Sequence, residues 1–316
     1  MSKTRHFYLP TITDKARGAV IVCCWLKGEN KMKKSILILA ALTAAVVFAS
    51  IFYGISNYSR ANAKAVFYCV ESDEMLFSSK ADERIAPASL TKLLAASVAL
   101  YYIDPDEVFT VGSEQELVPK GSSVCLILPG HRLTLCDLIT GMLMASGNDA
   151  AYTVAVGTAR ALDPDASMTD MEAVEKFCGL MNDFAKELGM SNSHFTTPDG
   201  SDDDGQYTTV SDLLMLAKYA LSVPEICEIA GTYRKYVVFE SGENITWTNS
   251  NKLLCPESRF YSEYAVGLKT GTTSRAGNCL IAAFKKDGKT YISIAAGCFM
   301  DMDRYELTLK NFSVYA

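Results

Sequence analysis

Three short segments carry side chains that could do chemistry together. The first, Pro87-Ala88-Ser89-Leu90-Thr91-Lys92, heads the apolar run Leu93 to Leu100. Pro87 and the small residues after it suit a helix start, and Leu, Ala and Lys sustain the helix. Ser89 is then expected in the first turn, where backbone N–H groups and the positive end of the helix dipole face outward. Lys92 falls on the same face, its amine within reach of the Ser89 hydroxyl. A serine hydroxyl is a weak nucleophile at neutral pH, and an uncharged lysine amine beside it can take its proton. The second segment is Ser146-Gly147-Asn148 and the third Lys269-Thr270-Gly271. Each alone has a plain structural meaning. A Ser-x-x-Lys pair turns up roughly once by average usage in a chain of this length. A strand lysine is ordinarily an edge charge, and Gly271 could mark a bulge.

The elements that must position these residues follow from the pattern of the chain. Ala65 to Val70 and Met75 to Ser79 read as strands joined by the turn Glu71-Ser72-Asp73-Glu74. The Ser89 helix ends near Asp104-Pro105, and residues 106–130 are turn-rich, with short apolar pieces such as Val124 to Leu128. Leu133 to Met144 is helical in pattern with Thr134 as its cap; Ser-Gly-Asn-Asp then breaks it, and Ala150-Ala151 begin another helix. From Thr169 to Leu188, apolar Val174, Phe177, Met181, Ala185 and Leu188 recur at helical spacing, with Gly189 as the stop. Ser211 is expected to cap a helix from Asp212 to about Leu221. The last third turns to strands: Tyr233 to Glu240, Asn244 to Thr248, Val266 to Thr270, Asn278 to Lys285 and Thr290 to Cys298, the last two joined by Asp287-Gly288. A helix from about Asp303 closes the chain. The pattern predicts an α+β fold: an antiparallel sheet made of the first and last strands, flanked by helices, with an all-helical insert between them.

The chain has 316 residues and a net charge of −6 that is unevenly spread. Residues 1–65 hold ten Lys/Arg against two Asp/Glu, a balance of +8, and residues 66–316 hold twenty against thirty-four, or −14. An acidic body argues against nucleic-acid binding, which needs a basic face. Met32-Lys33-Lys34 precedes an apolar run from Ile36 to Ile55, and Ala61-Asn62-Ala63 fits a small-x-small signal-peptidase site. Basic residues ahead of the run favour export of the chain beyond it. The run is long for a cleaved signal and long enough to span a bilayer. The expected division is therefore an unassigned extension 1–31, a signal peptide or membrane anchor 32–64, and one exported domain 65–316. Eight of the ten cysteines come after the export segment, scattered singly in apolar contexts, and read as free thiols without a zinc pattern. In the acidic loop Asp199 to Gly205, an EF-hand register ending at Gly205 would put Gly200 at the first ligand position and Ser211 where the bidentate glutamate belongs. No metal or cofactor is expected. His194 is read as a hydrogen-bonded structural histidine rather than a triad member.

Ser-x-x-Lys, Ser-x-Asn and Lys-Thr-Gly each occur once, in that order, the set shared by penicillin-recognising serine enzymes. From about Ala65 onward the chain resembles the low-molecular-mass penicillin-binding proteins, specifically the serine D-alanyl-D-alanine carboxypeptidases of peptidase family S11. The likeness includes Gly121-Ser122-Ser123, Ser146-Gly147-Asn148-Asp149-Ala150, Leu188-Gly189-Met190, His194-Phe195, Tyr207-Thr208-Thr209, Asn249 to Leu254 and Lys269 to Thr273 with Ala276-Gly277.

The resemblance implies a β-lactamase/transpeptidase-like fold and a mechanism. Ser89 would attack the carbonyl between two D-alanines of a peptidoglycan stem peptide while Lys92 takes its proton, its pKa lowered from ~10.4 by burial and the nearby Lys269. Ser146 would pass a proton to the leaving amine. Asn148 would bind the peptide and position Lys92. The N–H groups of Ser89 and Thr272 would form an oxyanion hole, and Lys269, Thr270 and Thr272 would hold the terminal carboxylate. β-Lactam antibiotics would label Ser89. The implied location is outside the cytoplasm, with the membrane a partner through residues 36–55 if the segment is kept. Many members carry a β-rich second domain and a C-terminal amphipathic helix, absent from the division expected here. Some carry an arginine where this chain has Ser250. Two alternatives are a β-lactamase, for which the Glu-x-x-Asn stretch of class A enzymes is missing, and a non-catalytic sensor of wall peptides or β-lactams.

Overall fold

The computed structural model describes residues 12–316, with side chains at Ser35 and from Leu37 onward. The first eleven residues of the expected extension, the side chains of Cys23 and Cys24 and the basic flank Lys33-Lys34 lie outside the described residues. Ile12–Asn62 forms one helix, α1, whose stretch Leu37–Asn62 is long and apolar enough to cross a membrane. Contacts divide the chain into one unit ending at Asn57 and a second running Tyr58–Ala316.

In the second unit, Lys64–Cys69 (β1) and Glu74–Ser79 (β2) form the first hairpin. Ala88–Leu90 is a single 3-10 turn and Thr91–Tyr102 (α2) continues from it. Ser89 therefore sits on a tighter turn than the helical start expected, entered through Ala88 in the left-handed region at φ +50°. Val108–Thr110 (β3) pairs with Arg132–Thr134 (β4), so the residues expected to open the next helix extend as a short strand instead. Leu135–Met144 (α3) is capped by Thr134, whose Oγ1 accepts from Asp137 N at 3.1 Å. Asn148–Ala161 (α4) follows, then Asp170–Glu187 (α5), which starts at a capping box between Thr169 and Glu172. Val210–Ala220 (α6) is capped by Thr209 and not by Ser211. Thr209 Oγ1 accepts from Asp212 N at 3.1 Å, while Ser211 Oγ donates to Asp82 at 2.6 Å. Pro224–Gly231 (α7) leads to the hairpin Arg234–Val238 (β5) and Asn244–Thr248 (β6). Ala265–Thr273 (β7), Gly277–Lys286 (β8), Lys289–Cys298 (β9) and Asp301–Tyr315 (α8) complete the chain.

The main sheet is antiparallel in the order β2-β1-β9-β8-β7, so the first strand meets the last and β7 is an edge. Alternation along the strands gives it two apolar faces. Val66, Tyr68, Ile281, Ala283, Ile292 and Ile294 pack against the helical segments between β2 and β5. Phe67, Leu280, Ala282, Phe284 and Tyr291 pack on the opposite face against Tyr305 and Phe312 of α8. The fold is α+β, as the alternation predicted. The eight cysteines whose side chains are described are free thiols.

Phe284 is fully buried and stacks on Phe312 at 4.3 Å between ring centres. Phe284→Ala is expected to cost roughly 3–5 kcal/mol of stability, read as a lower denaturant midpoint at unchanged slope.

Candidate active site

Lys92 sits in the first turn of α2 with no solvent exposure. Its Nζ has three oxygen neighbours: Ser89 Oγ at 2.8 Å, Asn148 Oδ1 at 2.6 Å and the Asp199 carbonyl at 2.9 Å. Burial pushes the Lys92 ammonium down to about 8, against the upward pull of the Asp199 and Asp149 carboxylates and Cys125. The side chain expected to act as base is thus brought against the expected nucleophile, and Asn148 joins them directly. Burial is the largest cause of the lowering, and the repulsion between Lys92 and Lys269, being mutual, disfavours both side chains carrying charge at once.

The Ser146-Gly147-Asn148 turn is fixed by its own neighbours. Ser146 is nearly buried and takes the left-handed region at φ +59°. A Cβ on Gly147 would lie 2.6 Å from Asp149 Oδ1 and 2.7 Å from Cys125 Sγ, so only glycine fits. The Asp149 carboxylate accepts from Cys125 N at 2.8 Å and Ile127 N at 3.2 Å. Asn148 N donates to Ser123 O at 2.8 Å, and Trp247 Nε1 donates to Cys125 O at 2.8 Å. These bonds lash residues 123–127 to the head of α4. Cys125 and Ile127 point inward, leaving Val124, Leu126 and Leu128 exposed.

The third segment lies on the edge strand β7. Lys269 is buried and donates to Thr270 O at 3.0 Å, and burial, then Lys92, then Arg304 hold its ammonium well below the usual lysine range. A Cβ on Gly271 would stand 3.1 Å from Ala88 Cβ and 3.2 Å from Ser89 N, which brings β7 flush against the Ser89 turn. Thr270 Oγ1 lies 2.7 Å from Ser250 Oγ, so a hydroxyl occupies the place where the resemblance pointed to arginine in some members. Thr272 is exposed, its Oγ1 3.2 Å from Asn278 Oδ1.

Two residues have no counterpart among the expected site residues. Arg304 of α8 is buried and donates to Gly271 O at 3.0 Å, Thr272 Oγ1 at 3.3 Å and Cys279 O at 2.8 Å, with Asp301 as its ion partner. The only sequence signal was an i, i+3 Asp–Arg pair on the closing helix. Asp199 serves Lys92 through its backbone, which no side-chain pattern reveals. Its loop is pressed in at Gly200, where φ is +83° and a Cβ would lie 1.8 Å from Ala88 O. The acidic cluster there is engaged in hydrogen bonds: Asp199 accepts from Ser201, and Asp202 accepts from Thr273 Oγ1 and Arg275 N. Asp204 pairs with Arg275. Among the described residues no group of three acidic, His or Cys side chains is arranged to hold a metal ion. His194 is exposed, its ring beside that of Tyr207. The assembly places a hydroxyl against an amine that burial biases toward its neutral form, with Lys269 on the neighbouring strand and Arg304 reaching that strand from α8.

The family model for D-alanyl-D-alanine carboxypeptidases matches residues 54–299. The D-alanyl-D-alanine carboxypeptidase DacF of Bacillus subtilis is 29% identical over 237 residues, which is 74% of this chain and 57% of that protein. The chain thus spans little more than half the length of that relative. Among solved structures, the Streptomyces K15 DD-transpeptidase superposes with a TM-score of 0.71 at 27% identity, covering 79% of this chain and 95% of that one. An ampicillin-bound penicillin-binding protein of Listeria monocytogenes gives 0.64 at 30% identity, covering 81% and 97%. Ser89, Lys92, Ser146 and Lys269 all fall inside the matched span, and the chain belongs to the D-alanyl-D-alanine carboxypeptidase family.

Proposed function

We propose that this chain is a serine D-Ala-D-Ala carboxypeptidase that removes the terminal D-alanine from peptidoglycan stem peptides outside the cytoplasm, with residues 65–316 as its catalytic domain and Ser89 as the acylated residue. The observation that carries the proposal is Lys92 Nζ, 2.8 Å from Ser89 Oγ and sealed from water. An ammonium has three donors; a neutral amine has two donors and one lone pair. Asn148 Oδ1 and the Asp199 carbonyl can only accept, so they use both N–H groups of neutral Lys92. The lone pair is left for Ser89, whose O–H donates to it.

From that arrangement the steps follow. The Ser89 Oγ bonds to the penultimate D-alanine carbonyl carbon as its proton moves to Lys92 Nζ. The C=O electron pair shifts to oxygen, facing the N–H groups of Ser89 and Thr272. Collapse breaks the C–N bond, and the D-alanine amine takes a proton through Ser146. Water then adds to the ester and releases Ser89 and the shortened peptide. Thr270, Thr272 and Lys269 hold the free carboxylate, with Ser250 sharing the Thr270 hydroxyl and Arg304 supplying positive charge from behind the strand. A β-lactam offers the same carbonyl and carboxylate and acylates the same serine. The apolar stretch within α1 serves as the membrane partner.

Three outcomes test this. The full-length protein in detergent is expected to release D-alanine from a pentapeptide ending in D-Ala-D-Ala, and Ser89→Ala to fall to background with its melting temperature kept; equal release by both ends the assignment. Acylation by a fluorescent penicillin is expected to rise with pH and level off above about 8, because Lys92 accepts a proton only once its depressed pKa is passed. A flat profile from neutral to alkaline pH would contradict Lys92 as the base. Gly271→Ala pushes β7 off the Ser89 turn and is expected to slow acylation on the order of 10–100-fold, while Gly179→Ala, at an exposed glycine of α5 with open space around it, leaves the rate unchanged.

A further inference from the structure

We infer, resting on the carboxypeptidase proposal, that the substrates of this enzyme are D-Ala-D-Ala peptides still attached to the lipid bilayer, because the end of the apolar helix is retained and built into the body whose strand β7 it reaches through Phe299 and Asn278. Only Ala63 separates the last residue of α1 from the first of β1. Ala63 is itself buried, in an apolar cluster with Ala65, Ala295, Cys298 and Leu307. Just before it, Arg60 pairs with Glu306, Asn62 Oδ1 accepts from Lys80 Nζ at 3.0 Å, and Ser59 Oγ accepts from Phe299 N at 2.8 Å. Residues 59–63 are therefore built into the body that carries the site, and the junction has no slack. Cleavage after Ala63 would remove every one of these partners.

The same turn leads straight to the site. Phe299 O accepts from Asn278 Nδ2 at 3.0 Å, and Asn278 Oδ1 lies 3.2 Å from Thr272 Oγ1. Thr272 follows Gly271, which abuts Ser89. Three consecutive hydrogen-bond contacts thus link Ser59 to the strand that binds the substrate carboxylate. The apolar stretch Leu37–Asn62 has 26 residues, whereas about 20 cross the hydrocarbon core, so its last residues reach headgroup depth. Tyr58 and Phe299 are both 73% exposed at this junction, and aromatic rings favour that layer. A peptide confined to the bilayer that holds the apolar stretch is tethered with the enzyme to one surface and meets it at high effective concentration.

The test uses the full-length chain in phospholipid vesicles and a D-Ala-D-Ala pentapeptide presented either free or coupled through its N-terminus to phosphatidylethanolamine. A second protein carries a flexible Gly/Ser insert of roughly 20 residues between Asn57 and Tyr58, adding on the order of 25 Å of mean reach. The lipid-coupled peptide is expected to lose D-alanine at least about tenfold faster than the free one at equal bulk concentration. The insert is expected to shrink that preference several-fold without changing free-peptide turnover. Equal turnover of the two peptides, a preference indifferent to the insert, or a mature protein whose intact mass lacks α1 would overturn the inference. Failure of the native chain to cleave either peptide would instead remove the carboxypeptidase proposal on which it stands.

Discussion

An ammonium group closed off from water costs several kcal/mol unless its surroundings replace the solvent it has lost. At Lys92 three oxygens do so, drawn from three separate parts of the chain. Ser89 comes from the turn before α2, Asn148 from the head of α4, and the Asp199 carbonyl from the loop after α5. Bringing three parts of the helical segment together is thus tied to satisfying one cation. The compensation is incomplete, which is why the group binds its proton weakly. The same arrangement suits the neutral amine once the Ser89 hydroxyl turns, so the cluster can change charge without moving a heavy atom. That property is what the base role proposed for Lys92 requires, since such a group gains and loses a proton at every turnover.

Close approach of backbone is the second constraint. Gly200 meets the Ala88 carbonyl, Gly271 meets Ser89 N, and Gly147 meets Cys125 and Asp149. Each replaces a side chain with the contact that closes the site. Around them the walls are tied by bonds distant in sequence: Asp202 to Thr273 and Arg275, Trp247 to Cys125, and Arg304 to the carbonyl of Gly271. The ligand-facing groups are held before any ligand arrives, so binding orders little that is not already ordered.

Legibility in the sequence tracked the range of each interaction. The Ser89–Lys92 contact is an i, i+3 relation, and the strands and long helices show their periods locally, so both could be read. The left-handed Ala88 and the 3-10 turn it opens could not, because packing against Gly200 and Gly271 sets them. Thr209 and Ser211 are both competent caps; Asp82, over a hundred residues away, engages Ser211 and leaves the cap to Thr209. Lys269 is legible through its motif, whereas the burial that is the largest cause of the lowered Lys92 comes from long-range packing that no local pattern shows. Arg304 has no motif, and the Asp199 carbonyl is an atom every residue possesses.

The sheet order also dictates when this protein can become itself. β1, the first strand, has β2 on one side and β9 on the other, and β9 lies more than two hundred residues downstream. Nothing can complete that central pairing until almost the whole polypeptide has been synthesised. High contact order of this kind slows folding and keeps the nascent chain open. The strand permutation that frames the cleft therefore leaves the newborn molecule unclosed until its last strand emerges.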